Sequence, residues 1–367
     1  MSDPVAERLR ALIREHGPLR FDAFMREALY GDGGYYDRPP IGPSGDFVTS
    51  PHVHPVFSRL VGIALEERWR ALAEPGPVRL IELGAGDGTM ARELIAGFGR
   101  GGLGVDYTAV EVSAGARGSL ADVVTRVVAD LDDVPPIDPG LVVANELLDN
   151  LPFRRIRGRE GASVEVRVTL DAGRFAEVET PIDDPRDVPP SASASDGEVV
   201  VPSGAFSLVD ALARTLRRGY ALLIDYVPSA RVAPVRGYRA HRIVDDVLSR
   251  PGSSDITAGV DLDAVSVRAR ATGLVAFEHV DQRSALLALG FERWASDEIT
   301  EQGRLLDVAR GGDAVRVWEG RGRARLLVDP LGLGALRWCV LATPGLEEPP
   351  WLTHARELAQ RDGDRAS

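Results

Sequence analysis

The feature that most constrains this chain is a glycine-punctuated turn that closes an apolar run. VRLIEL (78–83) leads into Gly84-Ala85-Gly86-Asp87-Gly88, and TMARELIAGF follows at helical spacing. A near-continuous apolar run reads as a strand buried on both faces. Glycines directly after it let the backbone turn tightly and bring its amides close to a ligand. The spacing is GxGxG, whereas the dinucleotide fingerprint is GxGxxG. Glu82 sits two residues before the first glycine, where a carboxylate would repel a pyrophosphate and favour a cationic ligand.

The alternation continues beyond that turn. VDYTAVEV, LVVANELL, YALLIDYV and LVAFEHV read as strands, and SLVDALARTLRRG and LDAVSVRARATG as helices between them. Buried strands separated by helices imply an α/β fold: a mostly parallel, Rossmann-like sheet with helices on both faces. Two short helices are expected in residues 1–30, then a Gly/Pro-rich structured loop and a long helix before the first core strand. VEVRVTLDAGRFAEVE reads as a β-hairpin about Asp171-Ala172-Gly173, and the Pro/Ser-rich stretch after it as a surface loop. The chain therefore divides into a helical region with a site-bordering loop (1–77), a core (78–345) carrying an insertion (154–203), and a tail (346–367). ARLLVDPLGLGALRWCVLATPG is expected to form a strand pair closing the sheet, and the polar C-terminal end to fray.

Composition removes several chemistries. All 43 Lys+Arg residues are arginine, which excludes Schiff-base lysines and the P-loop lysine. The single cysteine, Cys339, excludes disulfides and Cys-rich zinc sites, and six histidines without an HExxH motif leave little material for a metal site. A net charge of −12 argues against nucleic acid and anionic membrane surfaces as partners. No apolar run approaches the roughly 18 residues of a membrane span. MSDPVAERLRALIREHG carries Asp3, Glu7 and Glu15, unlike a secretory or organellar leader, so a cytoplasmic protein is expected.

The candidate site lies at the carboxyl ends of the strands, where open α/β sheets bind ligands. Glu82 facing ammonium and sulfonium charges, with Gly84, Ala85, Gly86 and Gly88, points to S-adenosyl-L-methionine. Glu111, at the end of the next strand, stands where ribose hydroxyls are held, or is simply an exposed strand-end acid. Asp130 and Leu131 follow a short apolar run where the adenine edge would lie, although three acids crowd that stretch. Asn145 and Glu146 leave LVVA, with Asp149 close behind; Asn145 could also serve as a helix N-cap.

The sequence resembles the MidA-like family of class I S-adenosylmethionine-dependent methyltransferases, which includes the mitochondrial complex I assembly arginine methyltransferase. The resemblance runs from about Tyr30 to Pro344. It is carried by GYYDRPPIGPSGDFVTSP (34–51), IELGAGDGT (81–89), VEVS (110–113), ANELLDNLP (144–152), LLIDYV (222–227), RGYRAHRIVDD (236–246) and SRPGSSDITAGVDLDAV (249–265). It implies a seven-stranded sheet, an N-terminal helical addition, an inserted hairpin, and cofactor contacts from the glycines, Glu111 and the Asp46–Ser50 loop, Thr49 included. Two landmarks depart from the family: Leu147-Leu148-Asp149-Asn150-Leu151-Pro152 replaces two aromatics followed by Asp-Ala-Leu-Pro, and Asp225-Tyr226-Val227 replaces Asp-Tyr-Gly. Both changes fall on the substrate side.

The expected reaction is in-line methyl transfer, with S-adenosyl-L-homocysteine as the product and no metal. Glu146 and Asp149, assisted by Asn145, are expected to grip an arginine guanidinium bidentately. Tyr36, His52, Asp225, Tyr226 and His241 are expected to line the substrate, His52 being also a candidate base. A protein substrate is favoured over a small-molecule acceptor of O- or N-methylation, with a non-catalytic cofactor-binding assembly factor as the rival; a homodimer is compatible with all three.

Overall fold

The computed structural model describes residues 3–37, 49–73, 76–159, 162–183, 197–227, 235–239, 242–244 and 246–366. Sixteen strands are found among these residues. In chain order they are β1 (Leu19–Arg20), β2 (Val78–Leu83), β3 (Val105–Val110), β4 (Arg126–Val128), β5 (Gly140–Asn145), β6 (Arg154–Arg159), β7 (Ala162–Asp171) and β8 (Arg174–Pro181). The rest are β9 (Gly197–Val201), β10 (Gly219–Asp225), β11 (Arg236–Arg239), β12 (Arg242–Val244), β13 (Asp255–Thr257), β14 (Val275–Ala276), β15 (Val280–Asp281) and β16 (Arg337–Ala342).

The central sheet runs β14-β16-β10-β5-β2-β3-β4, with β15 also pairing to β16. The pairs from β10 to β4 are parallel, whereas β16 runs antiparallel to β10, β14 and β15. Side chains alternate between two cores, as strand geometry requires. Leu80, Leu141, Val143, Leu222 and Ile224 face one apolar layer with the helices Val56–Ala71 and Thr89–Arg100. Ile81, Leu83, Val142, Ala144, Ala221 and Leu223 face the other, with Ser203–Thr215 and Leu262–Ala271. Burial on both faces explains why these strands read as unbroken apolar runs.

The chain leaves β2 toward β3 and β4, then crosses to place β5 on the other side of β2. This reversal of strand order opens a crevice above the carboxyl ends of β2 and β5. In register, Leu83 lies opposite Ala144, so Gly84 and Asn145 emerge side by side.

The insertion is larger than a hairpin. The expected turn is present: Asp171 pairs with Arg174 around Ala172 and Gly173, both at positive φ (45° and 80°), as a tight two-residue hairpin demands. Its strands β7 and β8 belong to a five-stranded antiparallel sheet with β6, β9 and β1 from the N-terminal region. Arg154 is fully buried against Glu165, and Arg155 is ion-paired with Glu177 and Glu198. Helix Pro4–His16, capped by Asp3, packs Val5, Leu9 and Ile13 into a third apolar cluster with Phe21, Phe24, Val168 and Ile256. That cluster fastens the N-terminal region to both the inserted sheet and β13.

Two expectations need correction, and one region had none. The segment expected to be a strand pair is a short 3-10 stretch (Arg325–Val328) followed by the single strand β16, whose partners β14 and β15 lie some sixty residues earlier. The C-terminal end is the helix Pro350–Ala366, with Trp351, Leu352 and Ala355 buried in the core. Residues 282–324, to which the sequence pattern assigned nothing, form three helices.

Candidate active site

The glycine turn is built by backbone conformation. Gly84, Gly86 and Gly88 all have positive φ (67°, 55° and 77°). A Cβ on Gly84 would come within 2.9 Å of the tip of the Leu147 side chain, which would have to shift, and the positive φ strains any L side chain there. The Gly84 amide donates to the Val110 carbonyl (2.8 Å), which draws the turn against β3. Ala85 is buried against Ala109 and Leu120.

Glu111 leaves β3 nearly fully buried, and its two oxygens accept the Gly86 and Ser113 amides, each at 2.8 Å. Burial nevertheless keeps its carboxyl above the ordinary value. Each of these oxygens retains a second lone pair for a hydroxyl donor. Glu82 is 2% exposed, and Tyr107 donates its hydroxyl to it at 2.6 Å. Burial, reinforced by the Glu111 charge, pushes the Glu82 carboxyl up to about 8 despite that hydrogen bond. No basic side chain pairs with Glu82 among the described residues, so the acid suits a cationic ligand. Asp130 is exposed and spends a carboxylate oxygen capping the 3-10 turn Leu131–Asp133 through the Asp132 amide (2.9 Å), while Leu131 is buried.

On the other side of the crevice, Glu146 follows β5 at a positive φ of 51°, uncommon for a non-glycine residue. Its Oε1 accepts the Ser50 amide (2.8 Å) and the Asn145 side-chain amide (3.0 Å). Burial raises its carboxyl above the ordinary value. Asp149 is raised further, by burial and then by the charges of Asp225, Asp255 and Glu146. Among the described residues, two oxygens in this half, Asn145 Oδ1 and Asp149 Oδ1, are enclosed with no hydrogen-bond partner.

Asp225 was expected to line the substrate, and the structure places it elsewhere. It is fully buried; Oδ2 accepts the Leu147 (3.0 Å) and Leu148 (2.6 Å) amides and Oδ1 the Tyr226 amide (2.7 Å). It therefore braces the turn that carries Glu146 and Asp149. Burial, opposed by these amides and assisted by the Glu146 charge, pushes its carboxyl up to about 7. Tyr226 is 38% exposed beside it. Tyr36 stacks on Tyr30 (5.4 Å between centroids) and donates to Asp255 Oδ1 at 2.9 Å, so it pins the rim of the site.

Thr49, Ser50 and His52 are also brought together here. The two ring nitrogens of His52 lie 2.9 Å from Thr49 Oγ1 and 3.0 Å from Asp87 Oδ2. With both nitrogens engaged, the imidazole has no free lone pair for a base. Asp46 and His241 lie outside the described residues.

Sequence reasoning missed Asp255, Asn150 and Gln282. Asp255 is fully buried on β13 and accepts from Asn150 Nδ2 at 2.8 Å. Its signal was available in the SRPGSSDITAGVDLDAV landmark, whose only unclaimed acid within the PGSSDIT portion it is. Gln282 is buried beneath Ser50, donating to the Leu327 carbonyl (3.0 Å) and accepting from Trp338 Nε1 (3.3 Å).

A glycine turn at a sheet switch point, a strand-end acid with spare acceptors, and a buried acid lacking a cation are together compatible with a methyl-donor site. Comparison with known proteins decides the matter: the profile of a family of S-adenosyl-L-methionine-dependent methyltransferases matches residues 60–280. The chain belongs to this family. Among curated relatives, the protein arginine methyltransferase NDUFAF7 homolog of Drosophila melanogaster is 30% identical over 318 residues, covering 74% of this chain and 71% of that protein. Protein arginine methyltransferase NDUFAF7 of Homo sapiens is 28% identical over 316 residues, covering 75% and 71%. A crystal structure of a Burkholderia thailandensis protein with S-adenosyl-homocysteine bound superposes with a TM-score of 0.79 at 24% identity, covering 93% of this chain and 94% of that one, and shows the shared fold.

The methyltransferase thus uses S-adenosyl-L-methionine, as the glycine turn and Glu82 implied. The expected cytoplasmic location is corrected: the NDUFAF7 relatives are described as mitochondrial. Acidic residues in a first amphipathic helix bear on how that segment folds, and they do not fix the compartment in which a family works.

Proposed function

We propose that this methyltransferase methylates an arginine side chain of a protein substrate, with Glu146 and Asp149 receiving the guanidinium. The observation that carries the reading is the enclosed Asp149 Oδ1, which has no partner among the described residues and sits amid Asp225, Asp255 and Glu146. A cluster of buried like charges is costly unless it takes up protons, and a cation that joins it favours the ionised form. A guanidinium brings five N–H donors in a fixed fork and stays charged at any relevant pH. The names of the NDUFAF7 relatives support the same acceptor.

Gly84, Gly86, Gly88, Glu82 and Glu111 would hold the cofactor. When bound, S-adenosyl-L-methionine supplies a methyl group on a cationic sulfur and leaves as a neutral thioether. The protein's part is to orient one guanidinium nitrogen and remove its proton. Glu146, fixed by Ser50 and Asn145, orients the fork; the proton released as the new N–C bond forms passes to Asp149. Burial and neighbouring charges raise the Asp149 carboxyl, which makes it a stronger base than an exposed aspartate.

The test is transfer of labelled methyl groups to arginine-bearing and arginine-free protein substrates, with the product residue read by mass spectrometry. Methylarginine is the expected product. Label on a hydroxyl or a small molecule overturns the acceptor, and cofactor binding without transfer to any substrate favours an assembly-factor role.

A further inference from the structure

The short turn Ser50–Val53 touches both halves of the site. At one end, the Ser50 amide donates to Glu146 Oε1 (2.8 Å). At the other, His52 Nε2 lies 3.0 Å from Asp87 Oδ2, while Asp87 Oδ1 accepts the Thr89 amide (3.0 Å) at the start of the helix after the glycine turn. Thr49 Oγ1, 2.9 Å from His52 Nδ1, fixes the ring from behind. Ser50 and Gln282 are both fully buried, with Gln282 Nε2 3.5 Å from Ser50 Oγ, so the turn is seated on the core. The His52 side chain is 7% exposed. Burial alone would raise Asp87, yet the hydrogen bonds from His52 and Thr89 hold it down to about 2.

We propose that this turn is a clasp joining the cofactor's glycine turn to Glu146, with His52 as its positioning residue. Asp87 lies between Gly86 and Gly88, so fixing its carboxylate fixes the glycine turn's conformation. The same four residues deliver the amide that orients Glu146. Cofactor affinity then depends on an unbroken chain of contacts from Asp87 through His52 and Ser50 to Glu146. Breaking the chain at either end releases the whole clasp.

The test is isothermal titration of the full-length protein with S-adenosyl-homocysteine, which needs no methyl acceptor. Wild-type binding is the control that separates failure of the clasp from failure of the cofactor assignment. His52→Ala is expected to weaken binding about tenfold, the effect of losing one hydrogen bond to a charged group. Glu146→Ala, which removes the acceptor of the Ser50 amide, is expected to cost a similar factor. Glu146→Gln keeps an acceptor oxygen and stays within about threefold of wild type. The double variant His52→Ala/Glu146→Ala should be little worse than either single change, because two breaks in one chain do not multiply. His52→Gln, which keeps an N–H within reach of Asp87, should recover most of the affinity. If His52→Ala proves unfolded by thermal scan, Thr49→Val takes its place in the same cycle. Losses that multiply to about a hundredfold, or a His52→Ala affinity within twofold of wild type, overturn the proposal.

Discussion

The two halves of the site are built on opposite principles. In the cofactor half, Glu111, Asp87 and Glu82 each have a hydrogen-bond partner, and positive φ is confined to glycines from Gly84 to Gly88. In the proposed acceptor half, Glu146 carries positive φ, Asn145 and Asp149 hold enclosed oxygens with no partner among the described residues, and Asp149 sits among Glu146, Asp225 and Asp255. The first half is preorganised, so a ligand completes it with little rearrangement. The second crowds buried carboxyls that are relieved by taking up protons or by a cation. Under the proposed function the difference matches the tasks of the halves: one would hold a common donor, the other would select an acceptor by charge.

Glu146→Gln tests that division most severely. Turnover on an arginine-bearing substrate should fall about a hundred- to a thousandfold, the usual cost of losing a charged group aimed at the reacting centre. Affinity for S-adenosyl-homocysteine should hardly move, and a parallel loss of both would merge the halves. Gly84→Ala tests the other side. The added methyl meets Leu147 and the backbone holds φ at 67°, so cofactor affinity should drop at least tenfold and stability should fall by about 1–3 kcal/mol, measured by denaturant titration.

A smaller effect concerns stability against pH. Asp225 and Glu82, pushed up to about 7 and about 8, hold protons in the folded state that the unfolded chain has already released. Their stabilising contribution is full below the ordinary carboxylate value and is lost as pH rises through about 7 to 8. Asp87, held down to about 2, works the other way: its contribution is present above the ordinary value and disappears as pH falls toward 2. Asp149→Asn removes one of the crowded charges, so the ligand-free protein should melt about 2 °C or more higher at pH 8, with a smaller gain at pH 5. A lower melting temperature at pH 8 would show that the Asp149 charge is already balanced.

The same contrast explains what the sequence revealed. The cofactor half is contiguous: residues 81–89 and 110–113 lie at the ends of two adjacent strands, so pattern and spacing suffice. The acceptor half joins residues far apart in the chain, Asn150 to Asp255 across 105 positions, and only the fold brings β13 there. Asp225 was legible in principle. It shares a face with Ala221 and Leu223, which point into the core, so strand alternation already placed its side chain inward. The helices of residues 282–324 escaped because exposed apolar residues interrupt their buried face: Ile299, Val315 and Trp318 are exposed, and Phe291 and Leu305 alone are buried in the longest of the three. The C-terminal helix was hidden by polarity, since three buried residues near its start, Trp351, Leu352 and Ala355, hold it to the core.

The central claim is that the acceptor half is an acid cluster made for a guanidinium. It is tested most directly by titrating N-acetyl-arginine amide into the protein saturated with S-adenosyl-homocysteine, at pH 6 and pH 8, in wild type and Asp149→Asn. Binding is predicted to be saturable, tighter at pH 8 because the carboxylates must ionise, and lost in the variant. Equal affinity at both pH values, or binding that survives loss of the Asp149 charge, would contradict it.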